Sequence, residues 1–164
     1  MVFAMSEVKY EVNSTPQAAT PTKLVVNEMT TATVTFNGNV EEWGTIGGKG
    51  FRKALKTATG MTIQIDGKRL VGDPGNDYIY SLNNKVGIAC NTTVYLTFPP
   101  VDGVSSVLVV PCVINITGMG GAHSAVGTLN HSVISNGEWT VEDVADGVSG
   151  AFAPLKAQAE KVVK

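Results

Sequence analysis

Val104-Ser-Ser-Val-Leu-Val-Val-Pro-Cys-Val-Ile-Asn-Ile-Thr117 is a long run of strand-forming residues. Side chains branched at Cβ are stiff at χ1 and fit a pleated surface better than a helix. The run reads as one strand with a bend near Pro111, since proline has no N–H to give to a ladder. The rest of the chain agrees: 23 Val, 17 Thr and 8 Ile make up more than a quarter of its 164 residues. Its 18 glycines supply turns, because Gly takes positive φ at no steric cost. Many short strands and frequent turns indicate a sandwich or barrel rather than a βαβ fold. The expected fold is mainly β, a single-domain β-sandwich or barrel-like structure with one short flanking α-helix.

Working outward, Pro99-Pro-Val-Asp-Gly103 joins this run to a strand over residues 92–98. Upstream, residues 7–13 (EVKYEVN) alternate cleanly, whereas residues 14–22 hold two prolines and no apolar anchor and read as a loop or flexible arm. Strands follow at residues 23–26 and 31–37, and Trp43 leads into the turn Gly44-Thr-Ile-Gly-Gly-Lys-Gly50. Residues 51–57 and 61–66 read as two arms of a hairpin around Gly60, with Met61, Ile63 and Ile65 on one face. The one strong helix start is Asp73-Pro-Gly-Asn-Asp-Tyr78: Asp73 suits the N-cap, Pro74 the first turn, and Asp77 adds a favourable charge there. Downstream, residues 123–135 read as a strand, and Asn136-Gly137 as a hairpin turn before residues 138–141. Residues 1–150 form the expected β domain, and the Ala- and Lys-rich residues 151–164 a weakly helical or disordered tail.

Function classes fall away by composition. A net charge of −2 and a pI near 5.6 argue against a basic nucleic-acid grip. No apolar run is long enough to span a bilayer, so no membrane partner is expected. The start lacks the basic and apolar regions of a signal peptide, so synthesis in a cytoplasm is expected. Cys90 and Cys112 read as reduced, buried strand residues, too few for a metal cage. His123 and His131, eight apart in one expected strand, stand about 26 Å apart and read as surface or interface histidines. Asp73 and Asp77 resemble a carboxylate pair, but no base, nucleophile or oxyanion group accompanies them. Residues 44–50 lack the Gly-Lys-Ser/Thr that opens a phosphate-binding helix. The Asn-x-Ser/Thr sequons at Asn13, Asn91, Asn115 and Asn130 reflect the abundance of Ser and Thr. The expectation is no catalytic, metal or cofactor site, and no enzyme.

Charge distribution says more than the total. Lys49, Arg52, Lys53, Lys56, Lys68 and Arg69 cluster against the single acid Asp66, while Glu138, Glu142, Asp143 and Asp146 stand without a base. Two solvated faces are one reading. The sharper one is a complementary pair of patches making inter-subunit contacts head to tail, a geometry that closes into rings or grows into filaments.

Val40-Glu-Glu-Trp43, Gly47-Gly48, Thr62-Ile-Gln-Ile-Asp-Gly-Lys-Arg69 and Gly72-Asp-Pro-Gly-Asn-Asp-Tyr-Ile79 together resemble the major tail (tail tube) protein of long-tailed bacteriophages. Residues 107–116, Gly118-Met-Gly-Gly121 and Asn136-Gly137 extend the resemblance over roughly residues 30–141. The most distinctive piece runs from Gly72 through Asp73, Pro74, Gly75, Asn76 and Asp77 to Tyr78; the 14–22 loop and the 151–164 tail lie outside it. The resemblance implies a tail-tube β domain that forms hexameric rings stacked into a hollow virion tube. Its implied partners are further copies of itself, a tape measure protein, tail initiator or baseplate and tail terminator proteins, and double-stranded DNA in transit without specific binding. Tubes of contractile tails, tailocins and type VI secretion share the fold, so the resemblance leaves the machine open. Another ring-forming virion part, such as a head decoration or tail terminator protein, a monomeric β-sandwich binding module and, third, a hydrolase are the alternatives. Loops 14–22 and 44–50 are expected to order on stacking against a neighbouring ring.

Overall fold

The computed structural model describes residues 7–47, 49–121 and 127–145. In chain order they form β1 (Lys9–Asn13), β2 (Lys23–Val25), β3 (Met29–Gly44), β4 (Arg52–Gly67), α1 (Pro74–Ser81), two 3₁₀ turns (Leu82–Asn84 and Gly87–Cys90), β5 (Asn91–Thr97), β6 (Val104–Gly120), β7 (Thr128–Ser135) and β8 (Thr140–Ala145). All the strands belong to one antiparallel sheet of order β2-β1-β5-β6-β7-β4-β3, with β8 added along β6. Of the two architectures expected, the single sheet is the barrel-like one. β2 and β3 stand at opposite ends of that order, yet only Val26, Asn27 and Glu28 separate them. Three linking residues reach at most about 14 Å, so the sheet curls until its two ends face each other. Val12, Met61, Ile63, Ile65, Val94, Val110, Leu129 and Val133 fill the inside of the curl, joined by Ile79 and Leu82 from the helical segment.

Several sequence expectations change. Residues 51–66 are not a hairpin about Gly60: β4 is one strand of 16 residues, paired along its length with β3, which is equally long. Gly60 lies flat in the ladder opposite Asn37, while the chain reverses between Gly44 and Arg52, where Lys49 (φ 49°) and Gly50 (φ 85°) take the left-handed conformation. Asn136-Gly137 does not close a hairpin either. β7 and β8 lie end to end along one edge of β6, β7 opposite residues 112–120 and β8 opposite residues 104–109. Pro111 falls at the gap between them, so its missing N–H breaks no ladder bond, and its carbonyl accepts from the Asn136 N–H at 2.8 Å. His131 is not at the surface. It is fully buried, and its Nε2 shares a 3.0 Å hydrogen bond with the Tyr10 hydroxyl from across the curl. Its position on β7 alternates with Ser132 and so faces inward. His123 lies outside the described residues.

Cys112 sits inside β6, where burial pushes its thiol up to about 12; Cys90, also buried and free, ends a 3₁₀ turn rather than lying in a strand. Loop 14–22 closes the β1–β2 hairpin through Ser14 N–H to Thr22 O at 2.9 Å and Thr22 N–H to Thr15 Oγ1 at 2.9 Å.

The helix is tied to the sheet by the Gly72–Tyr78 segment. The Asp73 carboxylate caps α1 by accepting the Asn76 N–H at 2.9 Å, and it also accepts Asn27 Nδ2 at 2.6 Å from the β2–β3 link. Pro74 takes the first helical position, where no N–H is needed. Gly75 admits no side chain, because a Cβ there would lie 2.2 Å from the Val25 carbonyl oxygen. Asn76 is fully buried, accepting from Arg69 Nη1 at 2.9 Å and donating to Lys68 O at 2.9 Å. Asp77 accepts from Arg69 Nη2 at 2.6 Å and from the Gly72 N–H at 3.1 Å; the Arg69 hydrogen bond holds its carboxyl below the usual range. Gly72 turns the chain at φ 95°, and Tyr78 is half-buried against the core. Asp73→Ala removes a buried acceptor from Asn76 and Asn27 and should lower stability by about 2 kcal/mol. The urea midpoint measures it; an unchanged midpoint would show the cap to be dispensable.

Candidate assembly interface

Two strands of 16 residues at about 3.3 Å each make the β3–β4 hairpin roughly 50 Å long. Only Thr62–Ile65 of β4 pair with β7, so among the described residues the Arg52–Gly60 half has β3 as its sole strand partner. β3 ends the sheet, and its outer edge has no strand beside it among the described residues. The hairpin therefore extends well past the packed core with backbone groups open along one side.

Alternation gives the hairpin two faces. Ala32, Val34 and Phe36 pair with Ile65, Ile63 and Met61 and share the core side. Toward the tip that side loses its cover: Phe36 is 66% exposed, and Val40, on the same side, 53%. Trp139, from the link between β7 and β8, leans on Phe36 with ring centroids 6.2 Å apart. Beyond an extra residue in β4 at Thr57, which breaks the register between Asn39 and Val40, come Trp43, Leu55, Ile46 and Phe51, all exposed. Exposed apolar groups gathered along one projecting element are the kind of surface that marks an interaction site.

The structure places the expected contact residues unevenly. Lys49, Arg52, Lys53 and Lys56 gather at the exposed tip. Glu41 and Glu42 lie across from them on β3, paired with Leu55 and Ala54, and Glu42 meets Arg52 at 3.4 Å. Lys68 is exposed at the far end of β4, and Arg69 is held in the helix anchor with its guanidinium also over the Tyr80 ring. On the acidic side, Glu138 is exposed in the β7–β8 link, while Glu142 and Asp143 are neighbours on β8 and point to opposite faces. Asp143 accepts from Ser106 Oγ at 2.8 Å. Asp146 lies outside the described residues. The four basic residues thus lie near the tip with Lys53 on the face opposite Arg52 and Lys56, and the acids likewise form no single facing patch. Exposed pairs of this kind contribute little and are screened by salt. Raising salt from 50 to 500 mM should therefore weaken self-association by less than about tenfold, as light scattering against protein concentration would measure; a steeper loss would make charge the main adhesive.

Among the described residues, no group of three or more His, Cys, Asp and Glu side chains converges on a point, and no helix is long and apolar enough to cross a membrane.

No protein-family description and no curated protein matches the sequence. Solved structures do match in fold. A chain in the tail of an empty gene transfer agent particle, refined with C6 symmetry, superposes with a TM-score of 0.65 at 12% identity, covering 86% of this chain and 99% of that one. A chain in the virion of the native gene transfer agent particle gives 0.61 at 11% identity, over 86% and 99%. A chain in the six-fold symmetrised baseplate of an anti-feeding prophage gives 0.50 at 7% identity, over 90% and 99%. At these identities the likeness is one of fold: this mainly β chain, with its long hairpin, carries the fold of chains found in phage-like tail particles.

Proposed function

We propose that the protein is a structural tail-tube subunit of a phage-like virion, polymerising as stacked six-fold rings around a tape measure protein and later conducting double-stranded DNA. The observation that carries this reading is the β3–β4 hairpin, with its open edge and uncovered apolar side at the tip. Six-fold symmetry in the tail and baseplate structures of the same fold supports the ring. An open strand edge is an aggregation hazard in a monomer; in a ring it pairs with a neighbouring subunit and the hazard disappears. The exposed tip, with Ile46 and Phe51 beside Lys49 and Arg52, suits contact with the next ring, and loop 14–22 is a second candidate for that contact. Tail initiator and terminator proteins are the partners at the tube's two ends. The role is architectural rather than catalytic.

Negative-stain electron microscopy of the purified protein, fresh and after concentration, tests the proposal with light scattering alongside. Hollow tubes are the expected product, spontaneously or on adding a tail initiator. Single rings that never extend would indicate a non-growing ring component. Monomers that persist with the initiator present would overturn the reading.

A further inference from the structure

We infer that Asn136 is a site of spontaneous deamidation, and that its conversion to isoaspartate frees the β7–β8 link from Phe36. The sequence holds two Asn-Gly pairs, Asn37-Gly38 and Asn136-Gly137. Asparagine is among the labile side chains, and a following glycine exposes it most, since no Cβ hinders the approach of the next backbone nitrogen. In the reaction the Gly137 nitrogen attacks Asn136 Cγ. A ring C–N bond forms, the bond from Cγ to the amide nitrogen breaks, and ammonia leaves with the Gly137 proton. Water then opens the five-membered imide at either carbonyl. One opening gives aspartate; the other gives isoaspartate, in which the main chain runs through Cβ and Cγ. Water is the sole co-reactant, and no electrons change hands.

The fold separates the two pairs. Asn37 and Gly38 lie inside the β3–β4 ladder opposite Gly60 and Thr59, and Asn37 Nδ2 donates to Thr62 Oγ1 at 3.3 Å. The extended backbone of a strand holds the next nitrogen out of reach of Cγ, so ring closure there needs the ladder to open. Asn136 and Gly137 stand beyond the last β7 pair, Ser135 with Cys112, and both are exposed. Gly137 already bends the chain at φ 129°. The added backbone methylene then falls between two fixed points. Upstream, the Asn136 N–H is held by Pro111 O at 2.8 Å, and it precedes the insertion. Downstream, Thr140 pairs with Val109. A link lengthened between fixed ends bulges outward, and it gains a carboxylate beside Glu138. Trp139, the last residue of that link, meets Phe36 in a tilted ring contact at 6.2 Å. Such contacts are weak, so this is the one that yields, and an aged subunit leaves more of its Phe36 side uncovered.

The test needs no assembled tube. Wild-type protein is aged in warm, mildly alkaline buffer and mapped by peptide mass spectrometry. Asn136 should convert at least about tenfold faster than Asn37, whose ladder bonds must open first, with isoaspartate as the main product. Equal rates, conversion confined to Asn37, or no conversion at either would overturn the site. For the link, Trp43→Phe leaves Trp139 as the single tryptophan, since the chain has two. Its emission should move to the red in step with conversion. Adding Asn136→Gln to that variant should hold the emission fixed, because glutamine must close a six-membered ring and reacts far more slowly. Aspartate as the sole product, or conversion with unchanged emission, would overturn release of the link. A red shift of equal size in the Asn136→Gln protein would overturn it too, by assigning the change to unfolding.

Discussion

Phe36→Asp should leave a folded monomer that no longer polymerises. Phe36 is already 66% exposed in the free subunit, and its partner across the strand, Met61, stays buried beneath the sheet. Losing the ring contact with Trp139 should cost the monomer about 1 kcal/mol. The assembled state pays far more. A carboxylate placed where a neighbour must cover apolar surface becomes a buried, unpaired charge, worth about 3–5 kcal/mol per contact. At about 1.4 kcal/mol for each factor of ten, the concentration needed for assembly rises by about two to three and a half orders of magnitude. Light scattering against protein concentration measures that threshold, with the urea midpoint of the monomer as the control for folding. Tubes appearing at the wild-type concentration would mean that this side of the hairpin is not an interface. Phe36→Tyr keeps the apolar ring and should assemble nearly as wild type, which separates the charge effect from a general sensitivity of the site.

What the sequence reveals about this molecule follows the range of the interactions. Strands β1, β2, β5 and β6 are legible because alternation and Cβ branching act within a few residues. The helix start is legible for the same reason, since Asp73 and Asn76 are three apart and their bond is local. Gly60 misleads because glycine marks both turns and flat ladder positions, and only a partner such as Asn37 distinguishes them. The Asn136-Gly137 pair misleads likewise: whether it folds a hairpin or lets the chain step along β6 past Pro111 depends on a strand more than 20 residues away. The charge patches show the same limit. Counting along the chain from Lys49 to Arg69 finds one acid, but the fold sets Glu41 and Glu42 beside the basic tip and draws Arg69 into the helix anchor. The apolar side of the hairpin escapes a linear reading altogether. Val34 and Phe36 look like ordinary inward strand residues, and only the extension of β3 and β4 beyond the core leaves their side uncovered.

His131 makes the fold acid-labile, and the expected size of the effect is large. Burial lowers its pKa to about 4 in the folded protein, against 6.5 for an ordinary histidine. The group lies inside the curl against Tyr10, with the Leu129 backbone and, after it, the Asp66 charge pulling the other way. Between those two values the unfolded chain binds a proton that the folded chain does not, so stability rises with pH across the window. It is complete above pH 6.5 and falls as pH drops toward 4, by about 3 kcal/mol in all. Asp77, whose carboxyl is held low chiefly by its hydrogen bond with Arg69, adds a further loss in the same direction, but only below the ordinary aspartate range. His131→Gln separates the two contributions: the variant is less stable at neutral pH, because its amide repacks imperfectly against Tyr10, yet its urea midpoint should be nearly flat from pH 6.5 to 4.5 where wild type declines. A wild-type midpoint that stays flat over that range would mean that the imidazole is protonated in place and that the buried pair tolerates the charge. Assembly should carry the same signature. On the proposed tube reading, a subunit destabilised near pH 4 supplies fewer folded copies for growth, so polymerisation should fail in that range before preformed tubes dissolve, and mixing wild type with His131→Gln at pH 4.5 should favour incorporation of the variant.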